Sequence, residues 1–237
     1  MYKDKSFIAI IPARSGSKGL PNKNVKELNS KPLIAWSIET ALSCKYIDEV
    51  MVSTDSELYA KIAKDYGANV PFIRPAEIAT DTASRREVIE HVIKYYQQDS
   101  KEFDYIILLE PTSPLRTLDD LNLAIEKLIN NKFGAESIVG VCELESSHPS
   151  FLIKLKNDFL KFINSKQQSE VLRRQDLETF YFYEGSLYIS DVKSYLEKEF
   201  YHNKTLGYVV PRWKSLEIDE LEDFIMIDAV MKHKGYK

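Results

Sequence analysis

Short apolar runs that keep returning between helical patterns constrain this chain more than any other feature. The runs are Phe7–Ile11, Val50–Ser53, Val70–Ile73, Tyr105–Leu109 and Ser137–Val141, mostly rich in Val, Ile and Leu. Continuous runs of this kind predict strands covered on both faces, as in a parallel sheet. Between them Pro32–Ser43, Leu58–Tyr66, Arg86–Tyr96 and Leu118–Ile129 space their apolar residues as helices do, the first at Leu33, Ile34, Ile38 and Leu42. Strands alternating with helices predict an α/β fold, a doubly wound and mostly parallel sheet joined by right-handed crossovers. The rhythm stops after about Glu143. Residues 148–184 hold extended segments, a polar patch from Ser165 to Gln175 and the aromatic cluster Phe180-Tyr181-Phe182-Tyr183. It resumes with Leu187–Ser190 as a strand, Val192–Phe200 as a helix, Leu206–Val210 as a strand and Leu221–His233 as a last helix. A sheet that resumes predicts one domain over residues 1–237 carrying an insertion at about 148–184, which suits a chain of 237 residues.

Composition narrows the partners. With 44% hydrophobic and 29% charged residues the chain reads as a soluble globular protein, and a net charge of −4 argues against a nucleic-acid binder. Cys44 and Cys142 each lie in or beside a regular element, as buried small hydrophobes do, which predicts a reducing, cytoplasmic setting. The N-terminal apolar run is too short for a signal peptide or a membrane span, so neither export nor a membrane partner is expected. Histidines at 91, 148, 202 and 233 lack ligand spacing, which argues against zinc, and no Gly-x-Ser-x-Gly elbow points to acyl chemistry.

Ligands of open α/β sheets bind beyond the carboxyl ends of the strands, and Arg14–Asn24 follows the first strand. Its residues suit an anion: Gly16 and Gly19 let backbone N–H groups approach, Ser15 and Ser17 add hydroxyls, and Arg14, Lys18 and Lys23 add positive charge. A triphosphate is the natural guest. The spacing matches neither the P-loop nor the dinucleotide pattern, because the two glycines lie three apart with lysine between them. A stretch of this composition can also be a solvated turn, and position and charge density favour the phosphate site. Farther on, Glu110–Arg116 again follows a strand, with two prolines holding it rigid. In Ser215–Asp219, alternation puts Glu217 and Asp219 on one side, which suits a shared hard cation; the other reading is an acidic helix start with Glu220, Glu222 and Asp223.

Ile11–Asn24, followed by Lys31-Pro32-Leu33-Ile34, closely resembles the signature of the sugar-acid cytidylyltransferases, specifically the acylneuraminate (sialic acid type) CMP-sugar synthetases. Ser53-Thr54-Asp55-Ser56, Arg74–Ser84 and Pro111-Thr112-Ser113-Pro114-Leu115-Arg116 agree, in the same order over nearly the whole chain. The separate downstream position of Lys31-Pro32-Leu33 fits this branch better than the Kdo-type relatives. The resemblance implies a Rossmann-like nucleotidyltransferase that moves CMP from CTP to the anomeric hydroxyl of a nonulosonic acid, with Mg²⁺ and release of pyrophosphate. It implies a homodimer whose insertion is the dimerisation arm. By resemblance Arg14, Ser15, Gly16, Lys18, Asn24, Arg74, Ala83 and Ser84 hold the nucleotide; Arg14, Lys18, Lys23 and Asp219 are catalytic; Asp219 and Glu217 hold the metal; and Glu110, Arg174 and Tyr188 hold the sugar acid. Taken alone, Thr82 or Asp81 reads first as a helix cap, and Phe180–Tyr183 as interface packing in preference to ligand contact. Three departures fall on the sugar side or the metal: Glu110 replaces glutamine, Phe182-Tyr183-Glu184-Gly185 replaces Arg-Pro-Asn-Gly, and Glu217 replaces aspartate. They predict a legionaminic-type sugar over sialic acid itself. A transferase for another sugar or nucleotide, such as a Kdo-like acid, and a non-catalytic nucleotide-binding homologue are the competing readings.

Overall fold

In the computed structural model, which describes residues 1–17, 19–145, 148–163 and 177–236, strand β1 (Phe7–Pro12) runs through the middle of the molecule. Its residues are buried from Phe7 to Ile11, and alternate side chains feed two separate cores. Phe7, Ala9 and Ile11 pack on one face with α1 (Leu33–Ser43), α2 (Glu57–Asp65) and α4 (Leu118–Ile129); Ile8 and Ile10 pack on the other with α3 (Arg85–Gln98) and α5 (Val192–Lys198). The period of two in a strand thus splits one apolar run between two helical layers.

The remaining strands are the short ribbon β2 (Glu27–Leu28) and β3 (Lys31–Pro32), then β4 (Glu49–Ser53), β5 (Tyr105–Leu108), β6 (Ser137–Glu143), β7 (Ile153–Lys156), β8 (Phe159–Phe162), β9 (Tyr181–Asp191) and β10 (Thr205–Val210). Six form the central sheet in the order β10-β6-β9-β5-β1-β4. All pairings are parallel except those of β9, which runs antiparallel to β5 and β6. The doubly wound, mostly parallel α/β sheet expected from the sequence is therefore present. A last helix, α6 (Leu221–Lys234), packs Phe224, Ile227 and Met231 with Leu20, Leu28 and Trp36 in a third cluster, closing one side of the first loop.

One expected strand is absent. Val70–Ile73 forms no ladder: Asn69 alone bridges Met51, and Pro71, with no N–H, ends the pairing. The segment instead delivers Arg74, whose N–H donates to the Thr54 carbonyl at 2.7 Å. Another strand is longer than expected. Pairing that was placed at Leu187–Ser190 begins at Tyr181, inside the segment assigned to the insertion. The described insertion also holds a 3-10 turn (Pro149–Phe151) and the hairpin β7–β8, closed by Asn157 and Asp158 with φ of 51° and 63°, as a tight hairpin turn requires. Among the described residues no helix is long and apolar enough to cross a membrane.

Candidate active site

A cavity of about 460 Å³ opens beyond the carboxyl ends of β1 and β5. Sheet order sets its axis. Arg74 lies over the end of β4, the residues after β1 over that strand and Glu110 over β5, so the wall runs from β4 across to β5, with Tyr188 of β9 behind Arg85.

The loop is braced from several sides. Ser15 donates its N–H and its hydroxyl to the two oxygens of Asp55, each at 2.8 Å, which explains why a Ser-Thr-Asp-Ser stretch follows β4. Neither Ser15 nor Gly16 lines the cavity; Ser17 and Gly19 do. Gly19 is obligatory at its position, because a Cβ there would stand 2.5 Å from the Asp219 carbonyl oxygen. Asn24 is buried and donates to the Arg14 carbonyl at 3.1 Å, while the Arg14 guanidinium pairs with Asp81. Lys23 donates to the Ile218 carbonyl at 2.6 Å and approaches Asp219 at 3.3 Å, and Ile218 N–H reaches the Thr112 carbonyl at 2.9 Å. The loop, the 110–116 turn and the 217–219 segment are thereby tied together, although nearly two hundred residues separate the first from the last. Lys18 and Arg174 lie outside the described residues.

Arg74 is 5% exposed and grips Ser53 through Nε to the hydroxyl at 3.0 Å and through Nη2 to the carbonyl. Burial pulls its pKa down to about 10, so it remains charged at neutral pH. Ala83 and Ser84 reach the wall where α3 begins, and the Ser84 hydroxyl forms a capping box with Glu87.

The β5–β9 end departs most from the expectations. Glu110 lines the cavity as expected, and its carboxylate is held by Arg85 Nη2 at 2.8 Å. Arg85 lies over the Tyr188 ring, 4.8 Å from its centroid. Burial opposes its charge, but Glu110, Tyr188 and Tyr201 outweigh burial and raise its pKa. Tyr188 is 4% exposed and stands behind Arg85, off the cavity wall. Sequence reasoning passed over Arg85. A signal existed: a cation at the first position of a helix opposes the helix dipole, and such a breach of local rules marks a residue kept for another purpose.

Glu217 does not share the wall with Asp219. Its carboxylate accepts the Gly185 N–H, and burial, followed by the charge of Glu110, raises its pKa. Asp219 does line the cavity, with its side chain 81% exposed. Beneath the floor, buried Arg116 donates to the Ser186 and Glu110 carbonyls and to the Ser37 hydroxyl, fixing the Glu110 backbone from below. Glu184 is 1% exposed beside it.

A cationic loop at a parallel strand end thus faces two further arginines, Arg74 and Arg85, and the carboxylates of Glu110 and Asp219 around one cavity. The chain belongs to the cytidylyltransferase family, whose model matches residues 8–227. It is 38% identical over 232 residues to the N-acylneuraminate cytidylyltransferase of Escherichia coli O18:K1:H7, covering 97% of this chain and 53% of that protein. It is 35% identical over 237 residues to the CMP-N,N'-diacetyllegionaminic acid synthase of Legionella pneumophila, covering 95% and 96%. The chain thus spans about half the length of the first relative and nearly all of the second. Among solved structures, CMP:2-keto-3-deoxy-manno-octonic acid synthetase complexed with CTP superposes with a TM-score of 0.70 at 17% identity, over 97% of this chain and 99% of that one, which shows a shared fold.

Proposed function

We propose that this chain is a single catalytic domain that transfers CMP from CTP to the anomeric hydroxyl of a nonulosonic acid, releasing pyrophosphate. One observation carries the reading: Arg14, Lys23, Asn24, Arg74, Ala83, Ser84, Glu110 and Asp219 line one cavity. Its size suits a nucleotide and part of a sugar. The nucleotide occupies the β4–β1 side and the sugar acid the β5–β9 side. Catalysis is alignment and charge neutralisation. Arg14 and Lys23 supply fixed positive charge to the phosphates, joined by Lys18 on the same loop, while the rigid 110–116 turn and the buried Arg116 hold the acceptor's side of the cavity in place. No covalent intermediate is required.

The donor set fits Mg²⁺ arriving on the triphosphate. Among the described residues no group of three or more His, Cys, Asp or Glu could hold a metal by itself. Asp219 offers one exposed carboxylate, and Mg²⁺ is commonly held by one or two carboxylates plus substrate phosphates. When bound, the ion neutralises charge on the phosphate oxygens and the departing pyrophosphate. Asp219 is the ligand we assign; Glu217, turned to Gly185, supports the segment that carries it. The working protein is a homodimer joined through the insertion. The buried, free Cys44 and Cys142 and the need for CTP suit the cytoplasm.

The test measures pyrophosphate released from CTP with sialic, N,N'-diacetyllegionaminic, pseudaminic and Kdo acids. Turnover highest with the legionaminic-type acid and dependent on Mg²⁺ is expected. Release from no acid, or preference for another nucleotide, overturns the proposal; a clear preference for sialic acid overturns the choice of sugar. Asp219→Ala should lower kcat by roughly 10²-fold or more, the scale of losing a charge-stabilising group.

A further inference from the structure

Resting on that reading, we infer that Arg85 is the anchor for the sugar acid's carboxylate, and that its pairing with Glu110 fits the acceptor side of the cavity to an anionic sugar. The other described cations on the wall belong to the end proposed for the nucleotide. Arg14 pairs with Asp81, Lys23 is bound to Ile218 and Asp219, and Arg74 is locked onto Ser53 at the β4 end. Arg85 stands at the opposite end, over β9. Its guanidinium is oriented by two contacts: the Glu110 carboxylate at 2.8 Å and the Tyr188 ring at 4.8 Å. An arginine has five N–H donors, and these partners leave part of the fork unused; the side chain is 39% exposed and lines the cavity. A planar, immobilised fork facing a cavity matches a carboxylate in a bidentate way.

The pairing also removes the conflict raised by a glutamate where relatives carry glutamine. An unpaired Glu110 would repel the substrate's carboxylate, whereas Glu110 neutralised by Arg85 leaves an acceptor oxygen free for a sugar hydroxyl. In a 2-keto sugar acid the carboxylate is bonded to the anomeric carbon that carries the reacting hydroxyl. Fixing the carboxylate on Arg85 therefore fixes that hydroxyl relative to the α-phosphate over β1.

The test compares the preferred acid from the panel with its C1 methyl ester, in the wild type and in Arg85→Gln. Arg85→Gln should lower kcat/KM for the acid roughly 10- to 100-fold, the scale of a lost charge-assisted hydrogen bond. With the ester the two proteins should agree within about threefold, and KM for CTP should be unchanged. The same comparison in a Glu110→Gln background, which leaves no carboxylate to repel the acid, should show the same acid-selective loss; an equal loss with acid and ester, no loss with the acid, or a loss that vanishes in that background overturns the assignment. Arg85→Lys keeps the charge and loses the fork, so it covers the case in which Arg85→Gln does not fold; it should lose an intermediate factor with the acid and nothing with the ester. Absence of turnover by the wild type with every acid removes the proposed function itself, a result distinct from an active wild type with an indifferent Arg85.

Discussion

Glu184 holds its place through three partners. Its carboxylate accepts the Ser186 hydroxyl at 2.5 Å and the Ser186 N–H at 3.1 Å, and the Arg116 charge offsets the burial that raises its pKa. Gly140 makes the room, since a Cβ there would stand 1.6 Å from Oε1. The carboxylate could swing aside only by leaving Ser186 and Arg116. Gly140→Ala should therefore cost about 1–3 kcal/mol, the range for overpacking, and lower the melting temperature by ~2–4 °C per kcal/mol. An unchanged melting curve would mean that the carboxylate is free to move. Residues named from the sequence reached the cavity wall where backbone position alone carries them: Arg14, Asn24, Ala83, Ser84, Glu110 and Asp219 sit at strand or helix ends. Side-chain direction was not legible. Ser15 turns to Asp55 and Glu217 to Gly185, partners distant in sequence, which local spacing does not encode.

At the scale of elements, the apolar runs translated into strands wherever a full ladder was available. They failed at Val70–Ile73, where a single proline on the sheet edge outweighs β-branched residues. Orientation was also hidden: Leu187–Ser190 reads like its neighbours, yet β9 is antiparallel, and burial on both faces erases the alternation that would distinguish it. Helix starts are where elements join. At the N-terminus of α4, Thr117 and Asp120 form a capping box, and Asp120 pairs with Lys214 at 2.6 Å, both nearly buried, fastening the connection between β10 and α6. Burial pushes the Asp120 pKa up, but Lys214 and Thr117 prevail and hold it below its ordinary value. A depressed carboxylate stabilises the fold above its unfolded pKa, and that contribution is lost as pH falls from about 4 toward the lower folded value. Asp120→Ala, which leaves Lys214 only the Thr117 hydroxyl and removes the N3 half of the capping box, should cost about 3 kcal/mol at pH 7. The gap in melting temperature between wild type and variant should narrow below about pH 4. A gap independent of pH would assign the loss to packing and not to the charge pair.

For the whole molecule, the insertion shows itself in the sequence as a break in the βα rhythm, but what it touches does not, because a surface contact depends on a partner's shape. The structure supplies the geometry. Cross-strand pairing in β7–β8 sets Ile153 opposite Phe162 and Leu155 opposite Leu160 on one face, and Lys154 opposite Lys161 and Lys156 opposite Phe159 on the other, mostly basic face. Every residue of both strands is exposed, Leu155 at 69% and Leu160 at 58%. A two-stranded ribbon is marginal without cover, and this one has an apolar face and a basic one. Phe180, Tyr181, Phe182 and Tyr183 at the start of β9 extend the exposed apolar surface toward the catalytic sheet. In the homodimer proposed above a second copy seated on that face would cover both, with this surface as the joint. Leu155→Asp combined with Leu160→Asp places two charges on the apolar face and should convert the species from about twice 27.4 kDa to 27.4 kDa in light scattering. CTP binding, built from β4, β1 and α3 of one chain, should persist in the monomer. Sugar-acid turnover should fall at least ~10-fold if the partner's arm completes the β9 end of the cavity. A monomeric variant with full turnover would reduce the dimer to a structural unit and confine the whole reaction to one chain.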